Sequence, residues 1–126
     1  MRDRSMWTLH VLSGLVILVL LGLHMAIMHL NTTLGIYNAP GHSAIDWASV
    51  VMRMKSTGFA VSYILLLAFA LYHGLYGLRN ILLELNPGKG LRALISYTIL
   101  LVGLGLFGFG AYVAAMAPAA STAVGG

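Results

Sequence analysis

The sequence predicts an all-α membrane protein with three transmembrane helices, and both its composition and its pattern carry this prediction. Of the 126 residues, 60% are hydrophobic and only 8% are charged, whereas a soluble domain carries about 25% charged residues. The apolar residues form three runs, at about 7–29, 59–83 and 91–116, and about 20 apolar residues cross a hydrocarbon core. We therefore expect a single transmembrane domain over residues 1–126.

The first span follows the charged segment Met1-Arg2-Asp3-Arg4. A signal peptide also begins in this way, but the apolar run is too long for one and no cleavage site of small residues follows it. We therefore expect a retained helix over about 7–29, with Trp7 at the membrane interface.

Residues 30–58 form a long external connection in which Asn, Gly and Pro residues mark turns. Within it we expect a short helix at 44–54, lying on the membrane surface with Ser43 as its N-cap. Its charged residues, including Asp46 and Arg53, should be solvated.

The second span, about 59–83, ends at an Asn-Pro-Gly turn within residues 84–90. The third span, about 91–116, has no ionisable side chain in its middle, and its glycines are Gly103, Gly105, Gly108 and Gly110. We expect a closely packed scaffold helix that Pro118 ends. Residues 117–126 should form a mobile tail.

The basic residues predict the orientation. Arg2 and Arg4 precede the first span, Arg79, Lys89 and Arg92 surround the second loop, and Arg53 and Lys55 lie in the long connection. Because cytoplasmic loops are rich in Lys and Arg, we expect an N-in, C-out protein. The net charge of +4 is scattered around apolar spans, so it does not indicate binding to nucleic acid.

The segment Tyr72-His73-Gly74-Leu75-Tyr76-Gly77-Leu78-Arg79 lies within the second apolar span. An ionisable side chain at membrane depth costs roughly 3 kcal/mol, so it usually faces the protein interior and has a function. Gly74 and Gly77 leave bare backbone beside His73, where a flat haem could approach, and a neutral imidazole is a common axial ligand. A packing histidine at a helix crossing of small residues explains this segment equally well.

The depth of a second histidine, His24, bears on this choice. By helical rise, His24 lies near the outer side of the membrane and differs in depth from His73 by roughly 15 Å. One haem iron cannot bind both residues, so two ligands would mean two haems. Each haem would then need a second ligand from His10, His29 or a partner subunit. With no cysteine in the chain, histidines are its strong transition-metal ligands.

Four further polar residues have weaker assignments. His10, on roughly the same helix face as His24, could contact a haem propionate or a quinone, or it could be structural. Arg79 could snorkel to the interface, pair with a propionate or bind a quinone head group. We expect His29 at the interface and His42 in solvent.

Two segments of the chain together match a known pattern. Tyr72-His73-x-x-x-Gly77-x-Arg79 is followed by Glu84, and Ser13-Gly14 is followed ten residues later by His24-Met25. They resemble the second-helix and first-helix ligand segments of the cytochrome b membrane-anchor subunits (C/D type) of succinate dehydrogenase and fumarate reductase, in the diheme, two-anchor arrangement. The three-helix layout and the chain length also fit this family.

The resemblance implies a haem b-binding anchor of respiratory complex II in the cell membrane, with His73 on the proximal haem and His24 on the distal haem. A second anchor subunit would supply the opposite ligands. An iron–sulfur subunit would dock on the cytoplasmic side near a quinone site, and a flavoprotein subunit would oxidise succinate. His10, Ser13 and Arg79 are weak candidates for quinone contacts, and Gly14, Gly74 and Gly77 are weak candidates for haem clearance. Many members have an arginine that helps to bind the quinone where this chain has Val11. A second anchor subunit could therefore carry the main quinone contacts.

Other functions stay open from sequence alone. The chain could be a non-redox membrane scaffold or a small transporter subunit whose histidines pack or relay protons. It could also be an unrelated diheme subunit of another oxidoreductase. No carboxylate dyad, nucleophile–base pair, phosphate loop or flavin motif is present in the sequence, so dicarboxylate chemistry would reside in other subunits.

Overall fold

The computed structural model describes residues 2–124, with side chains for 4–30 and 32–119. The described chain contains four α-helices and no strand: α1 (Arg2–Leu34), α2 (Trp47–Met54), α3 (Thr57–Glu84) and α4 (Lys89–Val124). Of these helices, α1, α3 and α4 are long and apolar enough to cross a membrane. This confirms the predicted all-α class with three membrane-spanning helices.

The three long helices lie in a row with α3 in the centre. α3 packs against both α1 and α4, whereas the backbones of α1 and α4 do not come close to each other within the described residues. Few side chains are therefore buried. Among the described residues, the buried ones are Ser13 in α1, Ala117 in α4, and Ala44, Ser49, Val51 and Arg53 in or beside α2. Most apolar side chains of the row face outward, toward lipid or a partner.

The three long helices extend beyond the predicted hydrophobic spans at all six of their ends. At the end of α1 the hydroxyls of Thr32 and Thr33 donate hydrogen bonds to the carbonyls of Met28 and His29, at 3.0 and 2.9 Å. Gly35 then adopts a φ of +62°, the left-handed conformation that commonly ends a helix. Hydropathy marks the apolar core of a helix, and hydrogen bonding decides where the helix ends.

Pro118 does not end α4, contrary to our expectation. The helix continues through Pro118 to Val124, so residues 117–124 are helical and residues 125–126 lie outside the described part. A proline inside a helix removes one hydrogen bond, but its alanine neighbours are the strongest helix formers. Ala117 is also buried beside a small apolar cavity that it shares with Trp47 and Val50 of α2. Tertiary packing therefore supports the helix where its sequence weakens it.

The surface helix α2 begins at Trp47 rather than at residue 44, and Ser43 is not its N-cap. Asp46 takes the N-cap position, and its Oδ2 accepts a hydrogen bond from the Ser43 main-chain N–H at 2.8 Å. A cap of this kind depends on how the preceding loop turns, which single residue preferences do not determine.

Arg53 is buried, with only 4% of its surface exposed, although we expected it to be solvated. Its Nη2 donates a hydrogen bond to the Ala44 carbonyl at 2.6 Å. One helical turn earlier, the Ser49 hydroxyl accepts a hydrogen bond from the Ala39 main-chain N–H at 3.1 Å. The connection before α2 thus folds over the face that carries Ser49 and Arg53.

Of the four glycines in the middle of α4, only two contact α3. A Cβ atom built at Gly103 would lie 2.8 Å from Cδ1 of Leu75, and one at Gly110 would lie 2.5 Å from Cδ2 of Leu67. Gly103 and Gly110 are two helical turns apart and share one face. At Gly105 and Gly108 such an atom would meet nothing within 4 Å. The close approach of α4 to α3 therefore depends on one pair of glycines.

We expect Gly110→Ala to destabilise the fold by about 1–3 kcal/mol, the usual cost of overpacking a tight contact. Gly108→Ala is the matched control, and it should be neutral or slightly stabilising because alanine favours the helix more than glycine does. Thermal unfolding of the purified protein in one detergent measures both variants. Equal losses for the two variants would show that α4 does not pack through Gly110.

Candidate functional site

A cluster of polar side chains lies where α1 crosses α3. His10, Ser13 and Gly14 share one face of α1, because positions three and four residues apart lie above one another on a helix. His73 and Gly77 are related in the same way on α3. Each helix therefore brings one histidine and one glycine to the crossing, and α1 adds the serine.

Hydrogen bonds hold the His73 ring at its Nδ1 atom. This atom lies 3.1 Å from the main-chain carbonyl oxygen of His10 and 3.4 Å from the Ser13 hydroxyl. Ser13 is fully buried, and its hydroxyl donates its proton to the same His10 carbonyl at 2.7 Å. Because the carbonyl only accepts and the hydroxyl proton is already engaged, Nδ1 of His73 is the donor. The lone pair of the neutral ring is then on Nε2.

The His10 ring stacks on the His73 ring, with centroids 4.1 Å apart and ring planes 7° from parallel. Tyr76 lies beside His10, with centroids 5.2 Å apart. Imidazoles bind metals through in-plane lone pairs, so two stacked, parallel rings do not oppose each other across one iron atom. His10 therefore cannot be the second axial ligand opposite His73 in this arrangement.

Gly14 and Gly77 make room for these two imidazoles. A Cβ atom at Gly14 would lie 3.0 Å from Cε1 of His73, and one at Gly77 would lie 3.4 Å from Cε1 of His10. At Gly74 a Cβ atom would meet nothing within 4 Å. Gly14 and Gly77 thus allow the close contact between α1 and α3, whereas Gly74 lies on an open face of α3.

His24 lies in a separate and simpler environment. It is ten residues beyond Gly14, about 15 Å farther along α1, and its ring meets Tyr63 edge to face at a centroid distance of 5.2 Å. Nδ1 of His24 is buried without a hydrogen-bond partner among the described residues. An unsatisfied polar atom at membrane depth is costly. His24 therefore lies apart from the His73 cluster, as the sequence predicted. Its ring contacts Tyr63, but no hydrogen bond from a described residue fixes its Nδ1 atom.

The Arg79 side chain lies on the side of α3 that faces α4. Its Nε donates a hydrogen bond to the Ser96 hydroxyl at 3.0 Å, and Ser96 donates to the Arg92 carbonyl at 3.0 Å. Six residues along a helix rotate a side chain by roughly 120° from the starting direction, so Arg79 points toward α4 while His73 points toward α1. Arg79 is thus not brought into the histidine cluster.

Two neighbours of the candidate residues, Ser96 and Tyr63, are not among those predicted from the sequence. Ser96 was placed in a scaffold helix, although a lone serine in an apolar span, level with an arginine on the neighbouring antiparallel helix, is a detectable signal. Tyr63 was not connected with His24, and only a predicted pairing of α1 with α3 would have brought the two together. His29 and His42 are both exposed, and His42 lies 3.4 Å from the Asp46 carboxylate.

A cavity of about 530 Å³ lies between α3 and α4 and reaches the start of α1 at Met6. Arg79, Ser96, Tyr72 and Tyr76 contribute its polar atoms, and the rest of its lining is largely aliphatic. The three candidate ligands His10, His24 and His73 are not part of its lining. The cavity and the histidine cluster are therefore different sites, which share Tyr76 at their boundary.

The chain has a similar relative among curated proteins. It is 31% identical over 106 residues to the succinate dehydrogenase hydrophobic membrane anchor subunit of Archaeoglobus fulgidus. The alignment covers 84% of this chain and 83% of the relative. No protein-family model and no solved structure matches the chain.

The hydrogen bonds at His73 lead to a spectroscopic prediction. In ¹⁵N NMR spectra of histidine-labelled protein, His73 should appear as a single Nδ1–H tautomer. Gly14→Ala pushes the His73 ring away from the His10 carbonyl and should mix its tautomers. Gly22→Ala is the control, because a Cβ atom there meets nothing within 4 Å. Mixed tautomers of His73 in the wild-type protein contradict the assignment, and a tautomer unchanged by Gly14→Ala contradicts the role of Gly14.

Proposed function

The chain belongs to the family of succinate dehydrogenase hydrophobic membrane anchor subunits, and from this premise we propose that it binds haem b and helps transfer electrons to quinone. Its three apolar helices make it a multi-pass membrane protein. The observation that carries the haem proposal is the hydrogen bond from Nδ1 of His73 to the His10 carbonyl. A metal-binding histidine usually makes this kind of bond with its other ring nitrogen.

The anchoring role requires partner subunits. In this proposal the chain attaches an iron–sulfur subunit and a flavoprotein subunit to the membrane, and the flavoprotein carries the dicarboxylate chemistry. A second anchor subunit of the C/D type would complete the helical bundle. The open row of α1, α3 and α4 supports this, because the backbones of α1 and α4 stay apart in the described chain. The N-in orientation expected from the basic residues would place the turn between α3 and α4 on the side of the iron–sulfur subunit.

His73 fits an axial haem ligand in two respects. Its Nδ1 is engaged by the His10 carbonyl and the Ser13 hydroxyl, which directs the lone pair to Nε2. Gly14 leaves the space in which the ring is held. A bound haem would supply one-electron redox chemistry, and the ligand orientation and low-polarity surroundings would tune its potential. The opposite ligand would come from the partner anchor, because His10 stacks on His73 instead of facing it.

His24 is the proposed ligand of a second, distal haem, and the diheme arrangement rests on it. Its separation from the His73 level, about 15 Å by helical rise, suits two haems at different depths. The fit is less complete than at His73, because Nδ1 of His24 has no acceptor among the described residues. A partner anchor would have to supply that acceptor together with the opposite ligand.

We place the main quinone contacts on the partner anchor. The Ser13 hydroxyl is fully buried and bonded to His10, so it is not available to a quinone. The His10 ring is packed between His73 and Tyr76. These contacts, together with Val11 at a position where an arginine is common in the family, argue that this chain contributes little to quinone binding.

The optical difference spectrum of the purified complex, reduced with dithionite minus oxidised, tests the haem assignment. The wild-type complex should show a b-type α-band. His73→Ala and His24→Ala should each remove one of two haems, which would halve the haem content per complex. His42→Ala is the control because His42 is exposed in the connection before α2.

Two outcomes would contradict the proposal in different ways. Loss of both haems, or of neither, from either single variant would overturn the assignment of one histidine to each haem. Absence of an α-band in a complex that still contains the flavoprotein and iron–sulfur subunits would favour a haem-free anchor. Co-purification of these two subunits tests the anchoring role separately.

A further inference from the structure

The cavity between α3 and α4 has two chemically different ends. Arg79 and Ser96 lie at one end, and Ala68 and Phe107 lie at the other. Eleven residues separate Arg79 from Ala68 along α3, and the same number separates Ser96 from Phe107 along α4, which corresponds to about 16 Å of helix. The cavity is therefore an elongated groove with a cation at one end and largely apolar walls, in which Tyr72 and Tyr76 are further polar residues.

The position of Arg79 along α3 places the polar end near the membrane interface. α3 has 28 residues and is about 42 Å long by helical rise, which exceeds the hydrocarbon core of about 30 Å. Arg79 is five residues from the helix end at Glu84, about 7 Å, so it lies near the boundary of the core. The apolar part of the groove then extends from that boundary toward the centre of the bilayer.

The charge of Arg79 is not balanced by a carboxylate within the described residues. Its Nε is bonded to the neutral Ser96 hydroxyl, and the ion pair found in the described part joins His42 and Asp46. The terminal amino groups of Arg79 are therefore available to an anion. A guanidinium matches the geometry of a phosphate, with which it can form two parallel hydrogen bonds.

We propose that this groove binds one anionic phospholipid, with its phosphate on Arg79 and one acyl chain along α3 and α4 toward the bilayer centre. An amphiphile with an anionic head and a long chain matches both ends of the groove and their depths. A quinone would fill the apolar part but would leave the guanidinium without a counter-charge. The site requires neither haem nor quinone and goes beyond the function proposed above.

Lipid retention by the purified complex tests the proposal. The complex is reconstituted in nanodiscs that contain phosphatidylglycerol and phosphatidylcholine, transferred to detergent and washed, and its retained lipids are counted by mass spectrometry. Wild type should retain phosphatidylglycerol in preference to phosphatidylcholine. Arg79→Gln should lower retained phosphatidylglycerol by about fivefold, since a basic residue near the surface contributes about this much to binding of anionic lipid.

Arg92→Gln is the matched control. Arg92 is also basic and close to the same interface, but it bonds to Asn86 at 3.4 Å and does not line the groove, so this variant should retain the lipid. Leu104→Trp, at an exposed position on the groove wall, should displace the acyl chain while Arg79 is intact. It should therefore also lower retention.

Several results would overturn the proposal. Equal retention by wild type and Arg79→Gln would remove Arg79 from lipid binding, and equal losses in Arg79→Gln and Arg92→Gln would show nonspecific attraction to basic residues. Unchanged lipid in Arg79→Gln, with a raised KM for quinone or lost haem, would assign the groove to those ligands. A complex without an α-band would contradict the haem proposal and leave this lipid count unaffected.

Discussion

The hydrogen bond between His73 and the main-chain carbonyl of His10 is the contact on which the proposed redox site depends. Water in solution would compete for both groups, but a bilayer core offers no alternative partner. The bond therefore fixes the tautomer and direction of the imidazole, and it also helps to set the register of α1 against α3. Ser13 strengthens the arrangement because its hydroxyl bonds to the same carbonyl and lies beside the same ring nitrogen.

Glycines allow the close contacts on both sides of α3. Gly14 and Gly77 provide space for the two stacked imidazoles where α1 and α3 cross, and Gly103 and Gly110 bring α4 against the leucines of α3. Membrane helices gain little from burying apolar surface against one another, because lipid is equally apolar, so close backbone approach and interhelical hydrogen bonds matter more. The central helix α3 thus carries a histidine toward one neighbour and an arginine toward the other, which separates the haem proposal from the lipid proposal.

The row of three helices explains why a partner is needed. A closed bundle would bury its polar groups within one chain, whereas here Nδ1 of His24 is buried without an acceptor among the described residues. The stacking of His10 on His73 prevents the chain from supplying two opposed ligands itself. Both observations support a site completed by a second anchor subunit.

The sequence alone determined the three membrane-spanning helices, because hydropathy and helix length are local properties that do not depend on how the helices pack. It also singled out His73 and His24 and placed them at different depths, since helical rise converts residue number into depth. The tertiary structure decided which groups surround His73, which glycines make contacts, that Arg53 is buried and that α4 continues past Pro118. These features depend on residues distant in the chain, and a local pattern does not show which face of one helix meets another. For the same reason, only the tertiary structure shows that Gly14 and Gly77 make room for the two imidazole rings.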